Sequence, residues 1–152
     1  DACGIIAVGL ARDGKAWVLG DHSVRDKSPE GWARAVSAAA ARWQADRVIA
    51  EANQGGDMVA ATLRAADVGL PVKLVHAARG KTARAEPVST LYEGGRVHHA
   101  GAFPELEDEL CGLLIGGGYE GPGRSPDRAD ALVWAVTELM LGKARQPRVH
   151  TL

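Results

Sequence analysis

Short apolar runs separated by turn residues open the chain. Gly4-Ile5-Ile6-Ala7-Val8-Gly9-Leu10 and Lys15-Ala16-Trp17-Val18-Leu19-Gly20-Asp21 flank Arg12-Asp13-Gly14, and Asp-Gly between two strand-like runs predicts a β-hairpin. The period then changes from strand to helix. Trp32, Ala35, Val36, Ala39, Ala40 and Trp43 recur at helical spacing behind Ser28-Pro29; serine suits the N-cap, and proline the first helical position, whose N–H lacks an intrahelical partner anyway. Val48-Ile49-Ala50 is too short for a helix and β-branched enough for a buried strand, while Gly55-Gly56 permits a tight turn into a helix from about Asp57 with Val59, Leu63 and Ala66 on one face. Pro71-Val72-Lys73-Leu74-Val75-His76 reads as the next strand. Two strands joined by a helix should run parallel with a right-handed crossover, so hairpin plus strand–helix–strand predicts a mixed α/β sheet.

In the second half, Ala85 to Tyr92 reads as a helix in which Pro87 is tolerable only in the first turn, and Glu93-Gly94-Gly95 ends it. Arg96-Val97-His98-His99 is a short strand. From Pro104, Leu106, Leu110 and Leu113 share one face and the acids Glu105, Glu107, Asp108 and Glu109 the other, the pattern of a surface helix. Gly116 to Gly123 is a glycine-rich loop, expected to be flexible. Ser125-Pro126-Asp127 starts a last helix with Leu132, Val133, Val136, Leu139 and Met140 as its core face. These elements make one domain over residues 1–142, followed by a polar tail over 143–152.

Composition fits that reading. The 152 residues are 46% hydrophobic and 24% charged, enough for one core. Lys+Arg 18 against Asp+Glu 19 gives net charge -1, so any contact with nucleic acid must come from a local patch rather than an overall basic field. Cys3 and Cys111 provide no spaced framework for metal or disulfides and suit a reducing compartment. No apolar run approaches the roughly 20 residues of a membrane span, and no signal-peptide pattern is present. The expected setting is soluble and cytoplasmic, without a membrane partner.

Three places carry candidate chemistry. Glu51 ends the Val48-Ile49-Ala50 strand, and ligands of open α/β sheets gather at the carboxyl ends of such strands, although acids also end strands merely as solvated residues. Arg79-Gly80-Lys81-Thr82-Ala83-Arg84 holds three cations in six residues at the end of the next strand, on the same expected edge as Glu51, where a phosphate backbone could meet both. Asp127 and Asp130 lie three apart in the first turns of the last helix, where the macrodipole favours acids even without function. His98 and His99 are adjacent on a strand, face opposite ways and make no ready chelate. The glycine-rich loop lacks the lysine and Ser/Thr of a phosphate-cradling loop.

In this order the hairpin, the amphipathic helix, Val48-Ile49-Ala50-Glu51-Ala52-Asn53-Gln54-Gly55-Gly56-Asp57-Met58, Arg79-Gly80-Lys81-Thr82-Ala83-Arg84-Ala85-Glu86-Pro87, Phe103-Pro104-Glu105-Leu106-Glu107-Asp108-Glu109 and Ser125-Pro126-Asp127-Arg128-Ala129-Asp130-Ala131-Leu132-Val133-Trp134-Ala135 resemble the C-terminal nuclease domain of the large terminase subunit of tailed bacteriophages and gene transfer agents. The likeness covers nearly the whole chain. It implies a ribonuclease H-like fold, a mixed sheet flanked by helices, and a metal-dependent endonuclease that cuts concatemeric DNA during packaging. Two Mg²⁺ or Mn²⁺ ions about 3.5–4 Å apart would activate water and stabilise the leaving oxygen, held by carboxylate oxygens that suit hard cations. The resemblance assigns metal binding to Glu51 and Asp127, with Asp130 as a supporting or alternate ligand, and DNA contact to Arg79, Lys81 and Arg84. It implies double-stranded DNA, an upstream ATPase domain, a portal and a small terminase subunit as partners, inside a bacterial host cell.

The chain departs from the family at its start. Relatives begin with a central strand ending in Asp-Pro that carries the first metal-binding aspartate, whereas Asp1-Ala2-Cys3-Gly4 matches the segment after that strand, and Asp1 aligns with an acid of the connecting loop. The expectation is an N-terminally truncated domain, marginally stable and weakly metal-binding by itself. Two alternatives remain, another ribonuclease H-like nuclease such as a Holliday-junction resolvase, and a catalytically silent DNA-binding or docking module.

Overall fold

The computed structural model describes residues 2–52, 56–114, 118–123 and 125–142. Asp1, the residues around Gly55, part of the glycine-rich loop and the tail from 143 lie outside them.

β1 (Ala2–Cys3) pairs antiparallel with β4 (Val24–Arg25), bracketing the hairpin of β2 (Ile6–Leu10) and β3 (Ala16–Asp21). The predicted Asp-Gly turn closes that hairpin: Lys15 N–H donates to Asp13 Oδ1 at 2.9 Å, and Gly14 sits at φ 84°, a region only glycine enters freely. α1 (Pro29–Trp43) starts as the sequence indicates, with the Gly31 N–H donating to Ser28 Oγ at 3.1 Å. β5 (Val48–Glu51), α2 (Gly56–Ala66) and β6 (Val72–Val75) follow, the two strands parallel and in register from Val48 opposite Val72 to Glu51 opposite Val75.

α3 begins at Lys81 rather than Ala85 and runs to Glu93, with Pro87 in its interior. Its first helical bond, Arg84 N–H to Gly80 carbonyl at 3.1 Å, lies within the basic segment of residues 79–84. Proline removes one donor from the helix, but Pro87 is exposed, and contacts of the first turn described below hold the helix start in place. β7 (Val97–His99) then adds parallel to β3, which makes the β2–β3–β7 sheet mixed. α4 (Pro104–Leu114) and α5 (Asp127–Val136) complete the chain, and a π-helical turn over Thr137–Leu141 extends α5.

Two cores result. Ala16, Val18, Val88, Val97, Leu106, Leu110, Leu113, Leu132, Val133 and Val136 fill the space between the three-stranded sheet and α3, α4 and α5. Ala33, Leu63 and Leu70 form a smaller cluster of α1 and α2 against the β5–β6 pair. Among the described residues no ladder joins the two sheets. The last helix links them instead: Val133 and Val136 lie in the larger core, Trp134 donates to Glu51 of β5, and Glu138 Oε1 accepts Arg47 Nη1 at 2.6 Å and Lys73 Nζ at 2.7 Å from the β5–β6 layer. No helix among the described residues is long and apolar enough to cross a membrane.

Candidate active site

The fold brings the end of β5, the first turn of α3 and the first turns of α5 together. Glu51 is the last residue of β5 and half-buried, and its Oε2 accepts the Trp134 indole N–H at 3.3 Å. One helical turn before Trp134, Asp130 presents its carboxylate to α3, where Arg84 Nη2 donates to Oδ1 at 2.6 Å. The same guanidinium donates through Nη1 to the Arg79 carbonyl at 2.7 Å and lies 4.8 Å from the centroid of the Trp134 ring. Its buried Nε makes no hydrogen bond with the described residues. The Arg84 side chain is only 10% exposed and that of Asp130 9%, so the pair is internal.

Lys81, 37% exposed, completes the group. Its Nζ donates to Ser125 Oγ at 3.0 Å and stands 3.7 Å from Asp127 Oδ1 and 3.9 Å from Asp130 Oδ2. Ser125 Oγ in turn donates to Asp127 Oδ1 at 2.8 Å. A cation thus already sits between the two aspartates, which shows that their oxygens suit positive charge. Burial pushes the Asp130 carboxyl up from its ordinary range, and the nearby Glu51 carboxylate adds to that rise; Arg84 and Lys81 pull the other way without overcoming it.

Oxygen donors from β5 and α5 match a hard divalent cation in kind, but among the described residues no three potential ligands converge to hold one. Of the acids proposed from the sequence, Asp127 and Asp130 flank Lys81, and Glu51 lies close enough to Asp130 for the two charges to interact; of the proposed basic residues, Lys81 faces the aspartates, Arg84 is locked into the Asp130 pair, and Arg79 is exposed and contributes its carbonyl. The two histidines occupy opposite faces of β7. His98 stacks on Trp17 with centroids 4.7 Å apart, whereas His99 hydrogen-bonds the Tyr92 hydroxyl at 2.7 Å and Glu107 at 3.2 Å.

Sequence reasoning missed Trp134 and Glu109. Trp134 lies off the core face read from the sequence and carries no role there, yet it touches both Glu51 and Arg84. Glu109 was placed with the solvated acids of α4, but it is 5% exposed, because it falls three residues after Leu106 and four before Leu113 and so lies beside the buried stripe.

A family model described as the terminase RNaseH-like domain matches residues 1–139. The fold also matches a crystal structure of the large terminase nuclease from thermophilic phage G20c with bound cobalt, at a TM-score of 0.64 and 16% identity over 91% of this chain and 82% of that one. No curated protein sequence matches. With a ribonuclease H-like architecture and a family match over almost its full length, the chain belongs to the terminase RNaseH-like domain family.

Proposed function

We propose that this chain is the DNA-cutting domain of a packaging terminase, a metal-dependent endonuclease acting on concatemeric double-stranded DNA. The observation that carries the reading is Lys81 lying between Asp127 and Asp130 at the start of α5, with Glu51 tied to the same helix through Trp134. Glu51, Asp127 and Asp130 would hold Mg²⁺ or Mn²⁺, and such ions supply an activated water and a charge to stabilise the departing oxygen. Arg79 and Lys81, at the rim, would contact DNA phosphates without reading sequence. Arg84 would orient Asp130 instead. The bound cobalt of the phage G20c nuclease supports a metal requirement. The ATPase domain, portal and small subunit of a packaging motor, in a bacterial host, are the partners such a domain would serve.

Plasmid cleavage with Mn²⁺ tests this, using the unsubstituted protein, Glu51→Ala and Asp127→Ala. Nicking that needs Mn²⁺ and is abolished by either substitution is the expected result. Cleavage indifferent to both would sink it, duplex binding without cleavage would favour a docking module, and a preference for four-way junctions would favour a resolvase.

A further inference from the structure

α5 begins without a cap of its own. Pro126 occupies the N-cap position and offers no side-chain acceptor, so the N–H groups of Arg128 and Ala129 at the first turn need a partner from elsewhere. Glu109 of α4 provides it: Oε1 accepts Arg128 N–H at 2.9 Å and Ala129 N–H at 3.3 Å. A buried carboxylate at this end also faces the positive pole of the helix. Its charge is balanced by Arg128, whose Nη1 donates to Glu109 Oε2 at 3.3 Å and whose Nε donates to Asp21 Oδ2 at 3.0 Å, at the end of β3. Asp21 is itself fixed, since its Oδ1 accepts the Ser23 N–H at 3.0 Å, and Ser23 Oγ accepts the Ile5 N–H at 3.0 Å. On the same turn, a Cβ on Gly4 would fall 2.2 Å from the Asp127 carbonyl oxygen, so the β1–β2 connection presses directly on the helix start.

The chain of contacts runs from α4 through the first turn of α5 to β3, and both α5 amides bonded in it adjoin a candidate ligand. Arg128 follows Asp127, and Ala129 precedes Asp130. We infer that Glu109, with Arg128 and Asp21, is a positioning residue that fixes the height and rotation of α5 so that the Asp127 and Asp130 carboxylates stand where a divalent cation can be held. The inference rests on the nuclease reading above and adds residues that touch neither DNA nor metal. Outer partners of this kind change metal affinity by about 10–100-fold when removed. They do so by orientation, so the loss should appear as weaker metal uptake rather than as a lower rate once metal saturates.

The test compares the intact protein with Glu109→Gln, Arg128→Met and Arg128→Lys. It reads Mn²⁺ affinity by calorimetry, plasmid cleavage across a Mn²⁺ series, exchange of the Arg128 and Ala129 amides, and the melting temperature. Glu109→Gln should raise the Mn²⁺ concentration for half-maximal cleavage about tenfold, with a similar calorimetric loss, while the rate at saturating Mn²⁺ stays close to that of the parent. The two amides should exchange faster. Arg128→Lys should recover much of what Arg128→Met loses. Unchanged Mn²⁺ affinity in folded Glu109→Gln and Arg128→Met proteins would overturn the inference, as would a loss that only tracks melting. If Glu109→Gln does not fold, Arg128→Met, which keeps the cap on the helix amides, decides the matter. Failure of the unsubstituted protein to take up Mn²⁺ would overturn the nuclease reading and this inference together, and is recognisable because it needs no substitution.

Discussion

Replacing Arg84 by Met separates two roles for that residue, and their expected magnitudes are far apart. If Arg84 were a rim cation waiting for phosphate, its loss would weaken DNA binding and leave the fold nearly untouched, since exposed ion pairs contribute about 0–1 kcal/mol. The geometry gives the other answer. Both side chains of the Arg84–Asp130 pair are almost enclosed, the contact is 2.6 Å, and the guanidinium also rests on Trp134 and donates to the Arg79 carbonyl. Removing one partner of a buried pair strands the other charge at a cost of about 3–5 kcal/mol. Lys81, 3.9 Å from the second Asp130 oxygen, offsets part of that, so the lower end, about 3 kcal/mol, is expected. For a chain of 152 residues this corresponds to a fall in melting temperature of roughly 6–12 °C. Adding Asp130→Leu to Arg84→Met should recover stability, because an apolar pair no longer buries a lone carboxylate. Thermal melts of the two single substitutions and the double one complete the cycle, with duplex binding measured alongside. A folded Arg84→Met protein that melts within about 2 °C of the parent but loses DNA affinity would refute this account.

Lys81→Met should behave in the opposite sense, tightening Mn²⁺ binding about fivefold because the metal no longer displaces an ammonium worth about 1 kcal/mol at this half-exposed position; calorimetry showing equal or weaker binding would contradict it. Glu138 tests the link between the last helix and the β5–β6 layer. Hydrogen bonding from Lys73, with Arg47 adding to it, holds its carboxyl below the ordinary range despite partial burial. A depressed carboxyl pKa stabilises the fold above the unfolded value of about 4.3 and loses that contribution as pH falls through the folded value. Glu138→Gln should therefore cost roughly 0.5–1 kcal/mol at pH 7, reduced by the exposure of both cations, and nothing near pH 2, as read by urea denaturation at both pH values.

The hairpin, α1 and the parallel β5–β6 pair were legible because each depends on local chemistry: the Asp13-Gly14 turn, the Ser28 cap, the β-branched Val48-Ile49 run. The start of α3 was not. Pro87 argued for a late start, whereas the Arg84–Asp130 pair and the Lys81–Ser125 bond hold the first turn from outside the segment. The candidate acids were visible as residues and were joined by the family resemblance, but their surroundings were not legible, since nothing local relates Glu51 to a tryptophan 83 positions away. Glu109 shows the same limit: its spacing from Leu106 hinted at burial, but the helix it caps lies 19 residues further on. Lys81 and Arg84, equivalent in the sequence as members of one basic cluster, separate in space: Lys81 reaches Ser125 between the aspartates and stays partly exposed, while Arg84 lies enclosed against Trp134.

That separation sorts the cations around the start of α5 into fixed and exchangeable ones. Asp127, Asp130 and Glu109 crowd three carboxylates into one helix end, more negative charge than the dipole there can balance. Arg84 and Arg128 answer two of them from enclosed positions, with planar forks each shared between two acceptor residues. Displacing either would leave a carboxylate buried and unpaired. Lys81 differs in every respect: it is a compact ammonium on a flexible stem, open to solvent, at 3.7 and 3.9 Å from its two aspartates rather than in tight contact. On the proposed nuclease reading it is the cation that would give way to a divalent ion without stranding an acid, and the rim position next to the site is where it would meet a phosphate. The positive charge that occupies the site without metal and the positive charge that would greet DNA with metal can thus be the same side chain, in two positions.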